Sequence, residues 1–193
     1  MTSRVIPFIP QALIRPPHML DSVPTAWDGV ELILADVMRR FKIFPGTALE
    51  FGVFCGYSTA ALANFFNVVI GVDTFFGDEH SGFSGNRENF FEQSQRALKD
   101  YKNVQLVRMD YREWIAMEQP VEKYDACHID IVHHYKETNE CVAWAVQHSD
   151  VVLVHDTIAF SEVRRAVQDV CWETGRVFYE YQVKHGLGIL VKE

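Results

Sequence analysis

Residues 127–135 read CHIDIVHHY and place three of the chain's eight histidines beside a single aspartate. Carboxylates and imidazoles bind divalent cations, and a histidine titrates near neutral pH, so that it can also act as a general base. A second pair, His155 and Asp156, ends the apolar run VVLVHD. The pattern admits a transition-metal site, a catalytic centre, or a strand end that is merely rich in histidine.

Five short apolar runs carry an acid at or near their ends. The runs TALEFGV, VVIGVD, VQLVRMD, YDACHID and VVLVHD contribute Glu50, Asp73, Asp110, Asp130 and Asp156. Their interiors are largely apolar rather than alternating, which is typical of parallel strands covered on both faces. Parallel strands end along one edge of a sheet, where ligands of open α/β sheets bind. One acid there could simply cap the next helix, but five would repel one another unless hydroxyls, an amino group or a cation satisfied them.

Helical patterns at 57–66, 86–101, 135–147 and 160–172 separate these runs, and Gly175 is the predicted C-terminal cap of the last. Strand–helix alternation of this kind predicts a doubly wound α/β sheet. The final segments RVFYEYQV and LGILVKE flank the turn KHG and predict an antiparallel hairpin. We therefore expect a mostly parallel, seven-stranded sheet with helices on both faces.

The first 24 residues differ from the rest of the chain. They contain Pro7, Pro10, Pro16, Pro17 and Pro24, which predict an irregular arm because proline removes backbone donors. The apolar residues of the arm indicate that it packs on its own domain, with a homodimer arm as the alternative. Residues 25–193 are predicted to form one domain, beginning with an amphipathic helix from Trp27 to Phe41.

Composition excludes several classes of protein. The chain has 193 residues, 48% hydrophobic content and a net charge of −8, without a basic stretch that could follow a phosphate backbone, so nucleic acid is not an expected partner. No apolar run approaches the roughly 20 residues of a membrane span, and the N-terminus lacks the pattern of a signal peptide. The cysteines form no C-x-x-C pair and are expected to be buried, reduced residues of a cytoplasmic protein: Cys55, Cys127, Cys141 and Cys171.

The first strand–helix turn reads ALEFGVFCGYSTAALA. Gly52 and Gly56 would let a ligand approach the backbone, but their spacing is not the G-x-G-x-x-G of dinucleotide sites. Glu50 beside this turn disfavours a pyrophosphate and favours a positively charged amino group. Asp73, 23 residues later, could accept both ribose hydroxyls, and Asp110 could accept from a base amine.

These features resemble the class I S-adenosylmethionine-dependent methyltransferases, from about Ala48 to the C-terminus. The resemblance implies the Rossmann-like fold of that class and S-adenosylmethionine as cofactor. It implies the following cofactor-binding residues: Glu50, Gly52, Gly56, Tyr57, Ser58, Asp73, Thr74, Asp110 and Tyr111.

The histidine motifs resemble one branch of this class, the metal-dependent small-molecule O-methyltransferases, which include sugar methyltransferases and cephalosporin-hydroxylase-like proteins. The matching residues are His128, Ile129, Asp130, His133, Tyr135, His155 and Asp156, whereas Ile131 and Val132 replace the usual Gly-Asp. Asp130 and Asp156 are expected to hold Mg²⁺, with His155 as a further candidate ligand. Asp130 and His133 are the expected catalytic residues, with His133 as general base, whereas His128 is expected below the site and His134 on the surface.

The predicted reaction is O-methylation of a small hydroxylated acceptor, for example a sugar. The segment after Asp73 is long and aromatic, so that Phe75, Phe76, His80 and Phe83 could form an acceptor lid or plug the core. Two other functions stay open. One is a metal-dependent hydrolase or hydroxylase-like enzyme on the same fold, and the other is a non-catalytic protein that binds nucleosides or a partner.

Overall fold

The computed structural model describes residues 4–77, 90–117 and 121–192. The strands are β1 Val5–Pro7, β2 Thr47–Phe51, β3 Val68–Asp73, β4 Val104–Arg108, β5 Tyr124–Ile129, β6 Ser149–His155, β7 Val177–Tyr181 and β8 Leu187–Val191. The helices are α1 Leu34–Arg40, α2 Tyr57–Ala63, α3 Phe90–Ala97, α4 Tyr111–Ala116, α5 Tyr135–His148 and α6 Ser161–Thr174.

These strands form one sheet in the order β1-β7-β8-β6-β5-β2-β3-β4. Strand β8 runs antiparallel to β6 and β7, and the other neighbouring pairs are parallel. The predicted parallel α/β sheet with an antiparallel C-terminal hairpin is therefore confirmed. Leu49, Cys127 and Val152 are completely buried on adjacent strands, as expected for strands with helices on both faces.

The sheet has an eighth strand that the sequence pattern does not reveal. Val5–Pro7 pairs in parallel with β7 at the edge of the sheet, where a proline is tolerated because no further strand needs its missing N–H. The next residue, Phe8, is buried in the core cluster that contains Trp27 and Tyr181. The N-terminal arm thus contributes both to the sheet and to the core.

The first helix is shorter than its apolar periodicity predicts. Gly29 adopts a positive φ of 93°, which breaks the helical path, and a 3₁₀ turn at Glu31–Ile33 leads into α1. Trp27 precedes the helix but is still buried. At the other end of the chain, Gly175 caps α6 with a φ of 69°, as predicted.

The strand order brings the carboxyl ends of β2 to β6 to one edge of the sheet. Asp73 ends β3, and Asp130 and Asp156 directly follow β5 and β6. All four cysteines are buried and free, as expected from the sequence. Among the described residues, no helix is both long and apolar enough to cross a membrane.

Candidate active site

A cleft of about 630 Å³ opens at this carboxyl edge. It is lined by most of the sequence-predicted site residues: Gly52, Tyr57, Ser58, Asp73, Thr74, Asp110, Tyr111, Asp130, His133 and Asp156. Glu50, Gly56 and His155 are not part of the lining. The N-terminal segment 24–27 forms another wall, which includes Trp27. Sequence periodicity assigned Trp27 to a helix face and gave no sign of this position.

Asp73 connects β3 to the loop after β2. Its Oδ2 accepts from the backbone N–H groups of Val53 and Phe54, both at 2.8 Å, and its Oδ1 accepts from Phe75 N at 2.6 Å. Burial raises the pKa of the Asp73 carboxyl despite these three hydrogen bonds. One acceptor position on Oδ1 stays available for a hydroxyl in the cleft.

The two glycines of this loop are needed mainly for packing. Gly52 has a φ of 91°, and a Cβ there would lie 1.8 Å from the carbonyl oxygen of Asp130. Gly56 has a φ of 88°, and its Cβ would lie 2.7 Å from Leu98 Cδ1. The predicted role of these glycines, to let a ligand approach the backbone, stays a prediction, and Gly52 lines the cleft.

Glu50 lies below the cleft rather than in its wall. Its side chain is completely buried, and it accepts a hydrogen bond from the Thr59 hydroxyl and pairs with His128 Nδ1 at 2.9 Å. His128 itself is buried one layer beneath the site, as predicted, and its ring packs edge-on against Trp27. Glu50 therefore supports the cleft from below and does not line it.

Asp110 caps α4. Its Oδ1 accepts from Arg112 N and Nε, and its Oδ2 accepts from Arg112 Nη2 at 2.7 Å. The hydrogen bonds from the Arg112 side chain lower the pKa of Asp110 and outweigh the opposite effect of burial. Tyr111 is buried, with its ring centroid 6.1 Å from that of Phe51, and burial raises the pKa of its hydroxyl.

A compact group of side chains occupies the other end of the cleft. Asp130, His133 and Asp156 each offer one ligand atom within 4.8 Å of the others. His133 Nε2 lies 2.7 Å from Asp156 Oδ2 and 3.5 Å from Asp130 Oδ1. The His133 ring stacks on Phe160 at 4.2 Å, which fixes its orientation. Asp156 adopts a positive φ of 65°, a strained conformation of the kind that recurs at functional sites.

Two further histidines approach the same carboxylates. His155 is completely buried, and its Nδ1 lies 3.3 Å from Asp130 Oδ2 and 3.5 Å from Asp156 Oδ1. His185, in the turn between β7 and β8, has its Nδ1 3.7 Å from Asp156 Oδ1. The sequence analysis did not single out His185, because only the pairing of β8 with β6 brings the turn KHG to this edge. His134 is exposed, as expected.

Charges within the group control its protonation. Burial alone would lower the pKa of His133, but hydrogen bonds and charge from Asp130 and Asp156 raise it to about 9. The same two carboxylates raise the pKa of His155 to about 10 against the effect of burial. Burial would raise the pKa of Asp130, yet the neighbouring histidines lower it below its usual range. The two carboxylates therefore favour the protonated form of both histidines.

The segment after Asp73 is described only at its ends. Phe75 is buried and packs on Phe91 at 4.9 Å, as a core plug would. Phe76 is 64% exposed, with the guanidinium of Arg108 4.8 Å from its ring centroid. His80 and Phe83 lie outside the described residues. Ile131 and Val132, which replace the Gly-Asp of the resembled branch, both line the cleft.

Comparison with known proteins identifies the class that this fold and cleft define. A sequence family described as "Methyltransferase domain" matches residues 49–157, more than half of the chain. The chain belongs to this methyltransferase family, and the predicted class I methyltransferase is thereby confirmed. No curated protein sequence matches the chain significantly.

Solved structures share the fold at low sequence identity. The O-methyltransferase TomG from Streptomyces achromogenes, involved in tomaymycin synthesis and solved with S-adenosylmethionine, has a TM-score of 0.62 at 18% identity; the match covers 92% of this chain and 83% of TomG. An O-methyltransferase from Bacillus cereus in complex with S-adenosylhomocysteine has a TM-score of 0.60 at 16% identity, over 90% of this chain and 83% of the other.

Proposed function

We propose that the protein transfers the methyl group of S-adenosylmethionine to an oxygen atom of a small hydroxylated acceptor, with a divalent cation at Asp130 and Asp156. The observation that carries this proposal is the single cleft that joins the Asp73 loop to the group formed by Asp130, His133 and Asp156. The solved complexes of TomG and of the Bacillus cereus enzyme support the choice of cofactor.

The residues of the Asp73 end fit a nucleoside. Asp73 Oδ1 retains an acceptor position for a ribose hydroxyl, and Gly52 and Val53 form the adjoining wall. Tyr57 and Ser58, at the start of α2, line the same region of the cleft. S-adenosylmethionine supplies a methyl group on a positively charged sulfur, and the carboxylates along this edge favour that charge.

The residues of the other end fit a divalent cation. Asp130 and Asp156 offer carboxylate oxygens close to one another, and Asp156 Oδ1 is buried and makes no hydrogen bond within the described part of the chain. A buried carboxylate oxygen without a partner is costly, and a cation would satisfy it. The sequence-based choice is Mg²⁺, with His155 as a further donor. A cation here would offset the charge of the aspartates, lowering the pKa of His133 and of an acceptor hydroxyl.

His133 is the proposed general base. Methyl transfer requires the acceptor oxygen to bond to the methyl carbon while the carbon–sulfur bond breaks, and the hydroxyl proton passes to the imidazole of His133. Stacking on Phe160 holds the imidazole in one orientation, and Asp156 stabilises the imidazolium that results. The acceptor must be small, because the nucleoside and the acceptor share one cleft of about 630 Å³. A sugar hydroxyl is one acceptor of this kind.

Calorimetric titration with S-adenosylmethionine, S-adenosylhomocysteine and NAD, with and without Mg²⁺, tests the proposal directly. We expect both sulfur nucleosides to bind and NAD not to bind. The variant His133→Ala should retain S-adenosylhomocysteine binding but lose about 10²–10⁴-fold in turnover on an acceptor of the wild-type protein. Absence of binding of both sulfur nucleosides would contradict the proposal, and metal binding without them would favour a metal-dependent hydrolase. Unchanged turnover in His133→Ala would show that another group is the base.

A further inference from the structure

His185 brings another imidazole to the aspartate pair from a distant part of the chain. It lies in the turn between β7 and β8, and its Nδ1 is 3.7 Å from Asp156 Oδ1. The side chain is about half exposed, and it does not line the cleft. It therefore approaches Asp156 from outside the set of residues that line the cleft.

The backbone fixes His185 relative to Asp156. Asp156 N donates to Gly186 O at 3.0 Å, and the next loop returns two hydrogen bonds to His185 O, from Ile158 N at 2.9 Å and Ala159 N at 3.0 Å. Gly186 fits tightly, since a Cβ there would lie 2.7 Å from Ile158 N. These contacts hold the turn against the aspartate that it faces.

An independent observation indicates that a ligand belongs between these groups. His155 is 1% exposed, and neither of its ring nitrogens makes an aligned hydrogen bond with any described residue, although Nδ1 approaches Asp130 Oδ2 at 3.3 Å. Asp156 Oδ1, which lies 3.5 Å from His155 Nδ1, is equally without a hydrogen bond there. Such buried polar atoms are expensive to leave unpaired, whereas a shared cation would satisfy both.

We propose that His185, together with His155, adds nitrogen donors to this centre, so that it selects a first-row transition-metal dication such as Mn²⁺, Fe²⁺ or Co²⁺ over Mg²⁺. Mg²⁺ is held in proteins by a few carboxylates and by water, whereas imidazole favours transition metals. The inference rests on the proposed function, because it requires the metal centre at Asp130 and Asp156. The inferred metal is a transition-metal ion instead of the Mg²⁺ expected from the sequence, and the turn between β7 and β8 provides one of its ligands.

Metal titration of the metal-free, full-length protein tests this inference. Most sites bind Co²⁺ more tightly than Mg²⁺, so the preference by itself decides nothing. The informative quantity is the ratio of Co²⁺ affinity to Mg²⁺ affinity, compared between the wild type and His185→Ala. His18→Ala is the matched control, because His18 is an exposed histidine away from the cleft. We expect His185→Ala to weaken Co²⁺ binding about tenfold or more, to shift the visible absorption of bound Co²⁺ and to leave Mg²⁺ affinity unchanged. His18→Ala should change none of these.

The remaining outcomes separate the inference from the proposed function. A Co²⁺ affinity and spectrum that are the same in His185→Ala and in the wild type would overturn the role of His185, as would an equal loss of Co²⁺ and Mg²⁺ affinity. Either result leaves the proposed function standing if S-adenosylhomocysteine still binds and Asp130→Asn abolishes metal binding. If Asp130→Asn leaves the affinity for both ions unchanged, the metal centre itself is wrong. Calorimetry of His185→Ala with S-adenosylhomocysteine confirms that the variant is folded.

Discussion

Gly52 links the two ends of the cleft through its backbone. Its positive φ turns the chain out of β2, and its missing side chain lets the carbonyl of Asp130 lie directly against it. Gly52 N donates to Val72 O at 3.0 Å, and Asp130 N donates to Phe51 O at 2.8 Å. The glycine thus holds its own loop and the end of β5 in register, so that the position of the proposed metal ligand Asp130 depends on a residue of the predicted cofactor motif.

The substitution Gly52→Ala should therefore damage both stability and binding. A left-handed conformation costs an alanine roughly 1–2 kcal/mol, and displacing the backbone of Asp130 adds to that, so we expect a loss of about 3 kcal/mol or more. The control is Gly175→Ala. Gly175 also has a positive φ, of 69°, but a Cβ there would meet open space, so this variant should lose only the roughly 1–2 kcal/mol of the left-handed conformation. Urea denaturation measures both changes, and calorimetry with S-adenosylhomocysteine measures the loss of binding. Equal costs for the two variants would contradict the close approach at Gly52.

Elements whose signals are local could be predicted from the sequence, and those that depend on distant pairing could not. Each of the central strands carries its own apolar run and terminal acid, so the carboxyl edge and the pair Asp130–Asp156 were foreseeable. Strand β1 has only three residues, two of them apolar, and becomes a strand because β7, some 170 residues later, offers an edge. His185 could not be predicted for the same reason, since it reaches Asp156 only through the pairing of β8 with β6. Glu50 was placed correctly along its strand, but the burial of its side chain beneath the cleft depends on His128 and Thr59.

The N-terminal arm makes a testable contribution to the core through Phe8, the residue that follows β1. Phe8 is 3% exposed, its N–H donates to Glu180 O at 2.8 Å, and the guanidinium of Arg40 lies 4.2 Å from its ring centroid. We expect Phe8→Ala to lower the free energy of unfolding by about 3–5 kcal/mol, because a large buried ring leaves a cavity. The neighbouring Ile9 is 75% exposed, so Ile9→Ala should change it by less than about 0.5 kcal/mol. Urea denaturation of both variants is the measurement, and similarly small effects would show that the arm does not belong to the core.

At the scale of the whole molecule, the cleft joins segments that are far apart in the chain. Its walls come from the N-terminal segment at Trp27, the Gly52 loop, the region around Asp110, and the ends of β5 and β6. A ligand that contacts all of them holds the two sides of the sheet edge together in the native state and has no equivalent site in the unfolded chain. Binding should therefore stabilise the fold as a unit rather than one loop.

Thermal denaturation with S-adenosylhomocysteine measures how much ligand binding stabilises the whole fold. At about 100 times its dissociation constant, a ligand specific for the native state adds about 2.7 kcal/mol, which corresponds to a rise in Tm of roughly 5–10 °C for a chain of this size. Asp73→Ala should abolish the rise, because it removes both the proposed ribose acceptor and the carboxylate that holds the N–H groups of Val53 and Phe54. NAD at the same concentration is the control and should leave Tm unchanged. An equal rise with NAD would contradict specific binding of the sulfur nucleoside, and a rise that survives in Asp73→Ala would contradict the proposed role of Asp73.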